Sequence, residues 1–188
     1  DEKVLICCLF LGSNRLNAQD RTSTIKLDDS VRKKCLRILR AGLHSQDFWP
    51  AIHAAEGLTL AGYGRGVRQY LSPKLFTEKD DQRRCGLARE LVRAGDTGKA
   101  RIMLNILAGK DPHGHIHAAE SLYKVAEAGD RKALQRAAKQ DAKPVLQLMA
   151  AAALARQGDA TALALIRKQL TVKNPLNSRI AAWIIART

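Results

Sequence analysis

Aromatic side chains are scarce in this chain of 188 residues, only 4% of the total. A core must therefore be built from Ala, Leu, Ile and Val, and little aromatic surface is left for stacking nucleic-acid bases. Long apolar runs are missing too. The longest, Val4–Leu11 and Met149–Ala155, fall far short of the ~20 residues that cross a bilayer as a helix, which excludes a transmembrane helix. Thirteen Gly and five Pro are too few for collagen or a disordered chain. Four Cys, at positions 7, 8, 35 and 85, make no disulfide framework. There is no CxxC pair, Gly-rich phosphate loop or Ser-His-Asp set. Acidic residues are outnumbered, with 18 Asp and Glu against 32 Lys and Arg, so the formal net charge is +14. What remains is 46% hydrophobic and 27% charged, the composition of a folded protein with one domain or a short array of repeats.

The first residues differ from the rest. Lys3 precedes the apolar stretch Val4–Leu11, and a polar stretch follows to Asp20. Residues 1–19 read as a secretory signal peptide, with a short N-terminal helix as the alternative, and 20–28 as a linker. Export to a periplasmic or extracellular space is accordingly favoured over a cytoplasmic location. Cys7 and Cys8 would leave with a signal. Cys35 and Cys85 then read as buried small hydrophobes.

Three markers recur at a spacing of about thirty-one residues, and repeats are sought first because they decide the architecture. Pro112, Pro144 and Pro175 mark helix starts, as does Pro50, and Asp81 falls where the missing mark is due. Ala94-Gly95-Asp96, Ala128-Gly129-Asp130 and Gln157-Gly158-Asp159 read as turns in which Gly ends one helix and Asp caps the next, with Tyr63-Gly64-Arg65 a weaker copy. Small pairs, Ala54-Ala55, Ala118-Ala119, Ala150-Ala151 and Ala181-Ala182, sit inside each first helix, with Cys85-Gly86 in their place in the second unit.

The map that follows is all-α. A lead helix covers 29–42, with Val31, Cys35, Ile38 and Leu39 on its apolar face. Helix pairs occupy about 48–80, 81–111, 112–142 and 143–174, and a terminal helix covers 175–188. Within the pairs, the first helices are expected near 50–62, 81–94, 112–128 and 143–157, and the second near 65–75, 97–107, 131–139 and 160–170. One pair alone cannot bury its apolar face, so neighbours must stack.

The motif of an alanine-rich helix, Gly-Asp and an Ala/Leu-rich helix, as in residues 148–170 (LMAAAALARQGDATALALIRKQL), resembles HEAT repeats, in particular the bacterial subclass named after phycobilisome lyases. The likeness covers about 48–188. It implies a right-handed α-solenoid of about four to five stacked HEAT-like helix pairs. It implies little about activity, since such arrays are mostly scaffolds with a minority of enzymes.

Two copies of one tetrapeptide stand out: His53-Ala54-Ala55-Glu56 and His117-Ala118-Ala119-Glu120. In each, His and Glu share a helix face. His113, His117 and Glu120, at i, i+4 and i+7, form the candidate metal stripe. Against a metal, the copies are two units apart, and helices stacked ~8–10 Å from each other cannot bring them to one ion. Other repeats place Met149 and Ile180 at the His position, which reads as a half-buried site where His and Glu partner each other. Glu56 is expected to meet Arg84, and Glu120 to meet Arg89, across neighbouring units. The di-iron HEAT enzymes carry His-Glu dipeptides, and this chain has none.

The basic residues form two denser groups: Arg32, Lys33, Arg37 and Arg40 on the lead helix, and Arg131, Lys132 and Arg136 in the third unit. They are candidates for a polyanion, either nucleic acid or an acidic polysaccharide. The leading reading is a non-enzymatic module binding a protein partner, with no catalytic residue and no cofactor. A basic polyanion-binding groove and a metal-dependent enzyme using the His and Glu residues are the alternatives. Trp183, Ile184 and Ile185 near the end suit self-association through that end.

Overall fold

A computed structural model describes residues 28–187, so the expected signal at 1–19 and nearly all of the linker lie outside the described residues. Every regular element among these residues is helical, and none is a strand. The helices are α1 (Asp29–Leu43), α2 (Phe48–Leu58), α3 (Gly64–Thr77), α4 (Asp81–Arg93), α5 (Ala100–Ala108), α6 (His115–Val125), α7 (Lys132–Ala137), α8 (Pro144–Ala155), α9 (Ala160–Gln169) and α10 (Pro175–Ile185).

Local chemistry sets the starts. Asp28, Asp80, Asp159 and Asn174 each cap a helix, their side-chain oxygens accepting backbone N–H bonds from Ser30, Arg83, Ala162 and Leu176 respectively. Pro144 and Pro175 take the first helical position, where the missing N–H costs nothing. Pro50 is the third residue of α2 rather than the first. Pro112 opens a 3-10 turn, Pro112–Gly114, ahead of α6.

The ends follow the Gly-Asp markers with two departures. Gly95 and Gly158 have φ of 102° and 82°, a region costly for any residue with a Cβ. In the first unit the reversal falls at Gly62 (φ 93°), inside a π-helical segment Thr59–Tyr63, and Gly64 is ordinary helix. In the third unit α6 stops at Val125, because Ala126 turns left-handed (φ 59°) three residues ahead of Gly129. Arg131 is also left-handed, which leaves α7 only six residues.

Helices pack against those next or next but one in order. The first helices of each unit, α2, α4, α6, α8 and α10, contact one another in sequence and form one layer. The second helices, α3, α5, α7 and α9, lie against that layer, and α1 packs on α2. Ala54, Ala55, Ala118, Ala119, Ala150, Ala151 and Ala181 are all buried, while Ala182 is exposed. In α8 every residue from Leu146 to Leu154 is buried, which is why its sequence shows no polar face.

Polar side chains tie one unit to the next by satisfying carbonyls left open at helix ends. Arg156 Nη1 donates to the Tyr123 carbonyl at 2.9 Å, Gln157 to that of Ala126, and Arg68 to that of Ala94.

The lead helix is turned from its expected orientation. Val31, Cys35 and Ile38 are exposed, and the packing face is Leu36, Leu39 and Leu43. Two glycines explain this. A Cβ on Gly57 would sit 3.0 Å from Leu39, and one on Gly42 3.1 Å from Ala54, so α1 and α2 approach closely along the Leu39–Gly42 side. The expectation that Cys35 is buried is therefore wrong, whereas Cys85 is fully buried.

Candidate functional site

Helices α2, α4 and α6 carry His53, Glu56, Arg84, Arg89, His117 and Glu120, which are half-buried except for buried Arg89. On α2, Trp49, His53 and Glu56 follow at i, i+4 and i+7, a single stripe. On α6, His117, Glu120 and Lys124 form a second stripe at i, i+3 and i+7. Between them lies α4, with Gly86 opposite the rings. The Trp49 indole crosses α4 and stacks on the His117 imidazole, centroids 5.6 Å apart and planes 24° apart. Gly86 makes room: a Cβ there would lie 3.2 Å from Trp49 and 3.3 Å from Phe48. That steric demand explains why Cys85-Gly86 replaces the alanine pair in this unit.

Below the rings runs a row of charges. Glu56 Oε2 is 3.6 Å from His53 Nδ1, and Glu56 Oε1 is 3.1 Å from Arg93 Nη2. Arg93 Nη1 reaches Glu90 Oε2, and Arg89 Nε donates to Glu90 Oε1 at 2.7 Å. Glu120 Oε1 is 2.7 Å from Lys124 Nζ. Glu90 is completely buried and Arg89 is 4% exposed. The carboxylates Glu56, Glu90 and Glu120 thus face the cations Arg89, Arg93 and Lys124, one for one.

Proton affinities follow from this pairing. Burial alone would raise the Glu56 carboxyl, but the hydrogen bond from His53 and the Arg93 charge bring it down to about 2. Glu120 is also held below its ordinary value, since Lys124 and Arg89 outweigh its burial. Burial pushes the His117 imidazole down against the pull of Glu120. Arg89 is burdened by burial yet raised by Glu90. Glu56 and Glu120, both held low, are charge-stabilising partners rather than proton donors poised near neutrality.

The structure brings His53, Glu56, Arg89, His117 and Glu120 onto neighbouring helices but pairs them differently from the sequence expectation. Glu56 meets Arg93, not Arg84; Arg84 Nη1 is bound to Asp81 on its own helix at 2.6 Å. Glu120 feels the Arg89 charge but bonds to Lys124. Glu90, Arg93, Lys124 and Trp49 were missed. The available signal was charge inside the otherwise apolar run Leu87–Val92.

The stripe His113, His117 and Glu120 does not form. His113 sits in the 3-10 turn, not in α6, and its Nε2 lies 2.9 Å from Asp80 Oδ2 of the preceding unit. That hydrogen bond raises the His113 proton affinity. Among the described residues, no three His, Cys, Asp or Glu side chains cluster as metal ligands. His115 is buried and bonds the Gly109 carbonyl through Nε2 at 3.0 Å. The Cys85 thiol is desolvated and pushed up to about 12, far from a nucleophile's range.

No family model matches the chain, and no curated protein matches it.

The basic groups behave differently from each other. Arg32, Lys33, Arg37 and Arg40 are exposed on α1, with Arg40 also lying 5.1 Å from the Tyr63 ring centre. In the third unit Lys132 and Arg136 are exposed, but Arg131 is half-buried and donates to Asp159 Oδ2 at 2.8 Å. Arg131 is thus a link to the cap of α9.

Proposed function

We propose that this chain is a non-enzymatic interaction module that binds a protein partner through a HEAT-like, right-handed α-solenoid of about four to five helix pairs. The observation that carries the reading is the closed row of charges across α2, α4 and α6. Its carboxylates and cations are matched one for one and its histidines face Glu56 and Trp49. A row so engaged orders the stack, and it holds the Glu56 and Glu120 carboxyls below their ordinary range, away from proton transfer at neutral pH. The sequential packing of short helix pairs supports the HEAT-like reading, since arrays of this kind present long continuous surfaces.

The exposed cations of α1 favour one second reading, polyanion binding, which needs charge and little else. One experiment separates the two: affinity capture with chemical crosslinking from an extract of the source cells at low and at moderate salt. A protein captured equally by the wild type and by His53→Gln and His117→Gln supports the module. Recovery of nucleic acid or acidic polysaccharide alone, released steeply as salt rises, overturns it in favour of the polyanion.

A further inference from the structure

Helix α1 leaves an apolar stripe uncovered. Val31 (45% exposed), Cys35 and Ile38 (59% exposed) follow at i, i+4 and i+7, so they form one line on the helix over about 10 Å. At 100° per residue the line lies beside the packing face of Leu36, Leu39 and Leu43 on one side. On its other side stand Lys34 and Arg37, with Lys33 and Arg40 beyond them. These four side chains are exposed, and none makes an ion pair among the described residues. Six cations elsewhere, Arg84, Arg89, Arg93, Lys99, Lys124 and Arg131, have carboxylate partners.

We infer that this face of α1 docks an acidic amphipathic helix of a partner protein. The apolar residues of that helix would lie along Val31, Cys35 and Ile38, and its Glu or Asp flank along Lys34 and Arg37. The inference rests on the interaction-module reading and names the partner's chemistry. The spacing of the stripe is that of a helix seam, in which i, i+4 and i+7 side chains interdigitate with the same spacing on a facing helix. The one-sided basic flank fixes which edge of the partner is acidic. A nucleic acid would satisfy the cations and leave a 59% exposed Ile in water. A lipid surface fits less well, because a membrane-bound helix centres its apolar face between basic flanks, and here one flank is already packed on α2.

The probe is a synthetic helical peptide with Leu at i, i+4 and i+7 and Glu along one flank. It is titrated by fluorescence anisotropy into the full chain carrying Cys7→Ser and Cys8→Ser. Controls are the same peptide with Lys in place of Glu, anionic phosphatidylserine vesicles, and a short DNA duplex. Saturable binding of the Glu peptide, weakened at least tenfold by Ile38→Glu and by Lys34→Glu/Arg37→Glu, is the expected result. The charge-reversed variant should instead take the Lys peptide. Bound peptide should also slow alkylation of exposed Cys35. All of these positions are exposed, so circular dichroism should show the fold unchanged. Equal binding of both peptides, binding insensitive to Ile38→Glu, or retention of only vesicles or DNA overturns the inference. Concentration-dependent self-association abolished by Ile38→Glu would assign the face to a second copy and overturn it too. Protein capture from extract that persists in Ile38→Glu leaves the module reading standing while this inference fails; no protein capture by the wild type removes the reading itself.

Discussion

Replacing Glu90 by Gln is the sharpest perturbation of the charge row. The change keeps the shape of the side chain and removes one charge. Glu90 is completely buried and bridges Arg89 and Arg93. After the change Arg89, itself 4% exposed, keeps its charge without a bonded carboxylate. Its remaining compensation is the field of Glu120 and Glu56. Breaking one side of a buried pair costs about 3–5 kcal/mol because an uncompensated charge stays in low dielectric. The surviving glutamates put the expectation near the lower end, about 3 kcal/mol. For a chain of this size that corresponds to a melting temperature lower by roughly 6–12 °C. Urea unfolding followed by circular dichroism should show a lower midpoint at unchanged slope. The double replacement Arg89→Met/Glu90→Leu should recover most of the loss, since a packed apolar pair can match a buried ion pair. A Glu90→Gln variant within about 0.5 kcal/mol of wild type would refute the view that this row holds α2, α4 and α6 together.

The acid response has a defined sign. Glu56, lowered from 4.5 to about 2, contributes stability that is present above pH 4.5 and lost as pH falls through about 2, so Glu56→Gln should flatten the acid limb of a stability–pH curve. Imidazole resonances followed by NMR should show His113 titrating above 6.5, through its bond to Asp80, and His117 below 6.5, through burial; His113→Gln should leave the His117 titration in place. Gly66 in α3 has open space around its Cβ position, so Gly66→Ala should raise stability by up to about 1 kcal/mol. Gly129 combines a φ of 53° with a Cβ position occupied by Leu104, so Gly129→Ala should lower stability by about 1–3 kcal/mol in the same thermal melts.

The helix pairs were legible because their punctuation is local. Pro144 and Pro175 start helices, Gly95 and Gly158 end them, and Asp159 caps the next, each through chemistry confined to a few residues, whereas Asp96, expected to cap after Gly95, makes no side-chain cap bond. What escaped depends on neighbours. The lead helix has two adjacent apolar lines, Val31/Cys35/Ile38 and Leu36/Leu39/Leu43, and composition alone does not choose between them. The choice falls to Gly42 and Gly57, which let one line approach α2. The repeat marker aligns Glu56 with a residue 31 further on, yet its ion partner, Arg93, is 37 further on, because side chains meet between staggered helices rather than at equivalent positions. Helical spacing continued through Pro112 puts His113 on the stripe, but Asp111 and Asp80 hold that segment in a 3-10 turn. The alanine pair missing from the second unit was visible in the sequence; its cause, the Trp49 ring lying across Gly86, was not.

A double-mutant cycle between Glu56 and Arg93 tests the coupled charge row most directly. The two sit on different helices, 3.1 Å apart and each about 15% exposed, with no chain proximity to couple them otherwise. Single replacements Glu56→Gln and Arg93→Met and their combination, compared by urea unfolding at pH 7, should give a coupling of about 1–2 kcal/mol. A coupling below about 0.3 kcal/mol would contradict it.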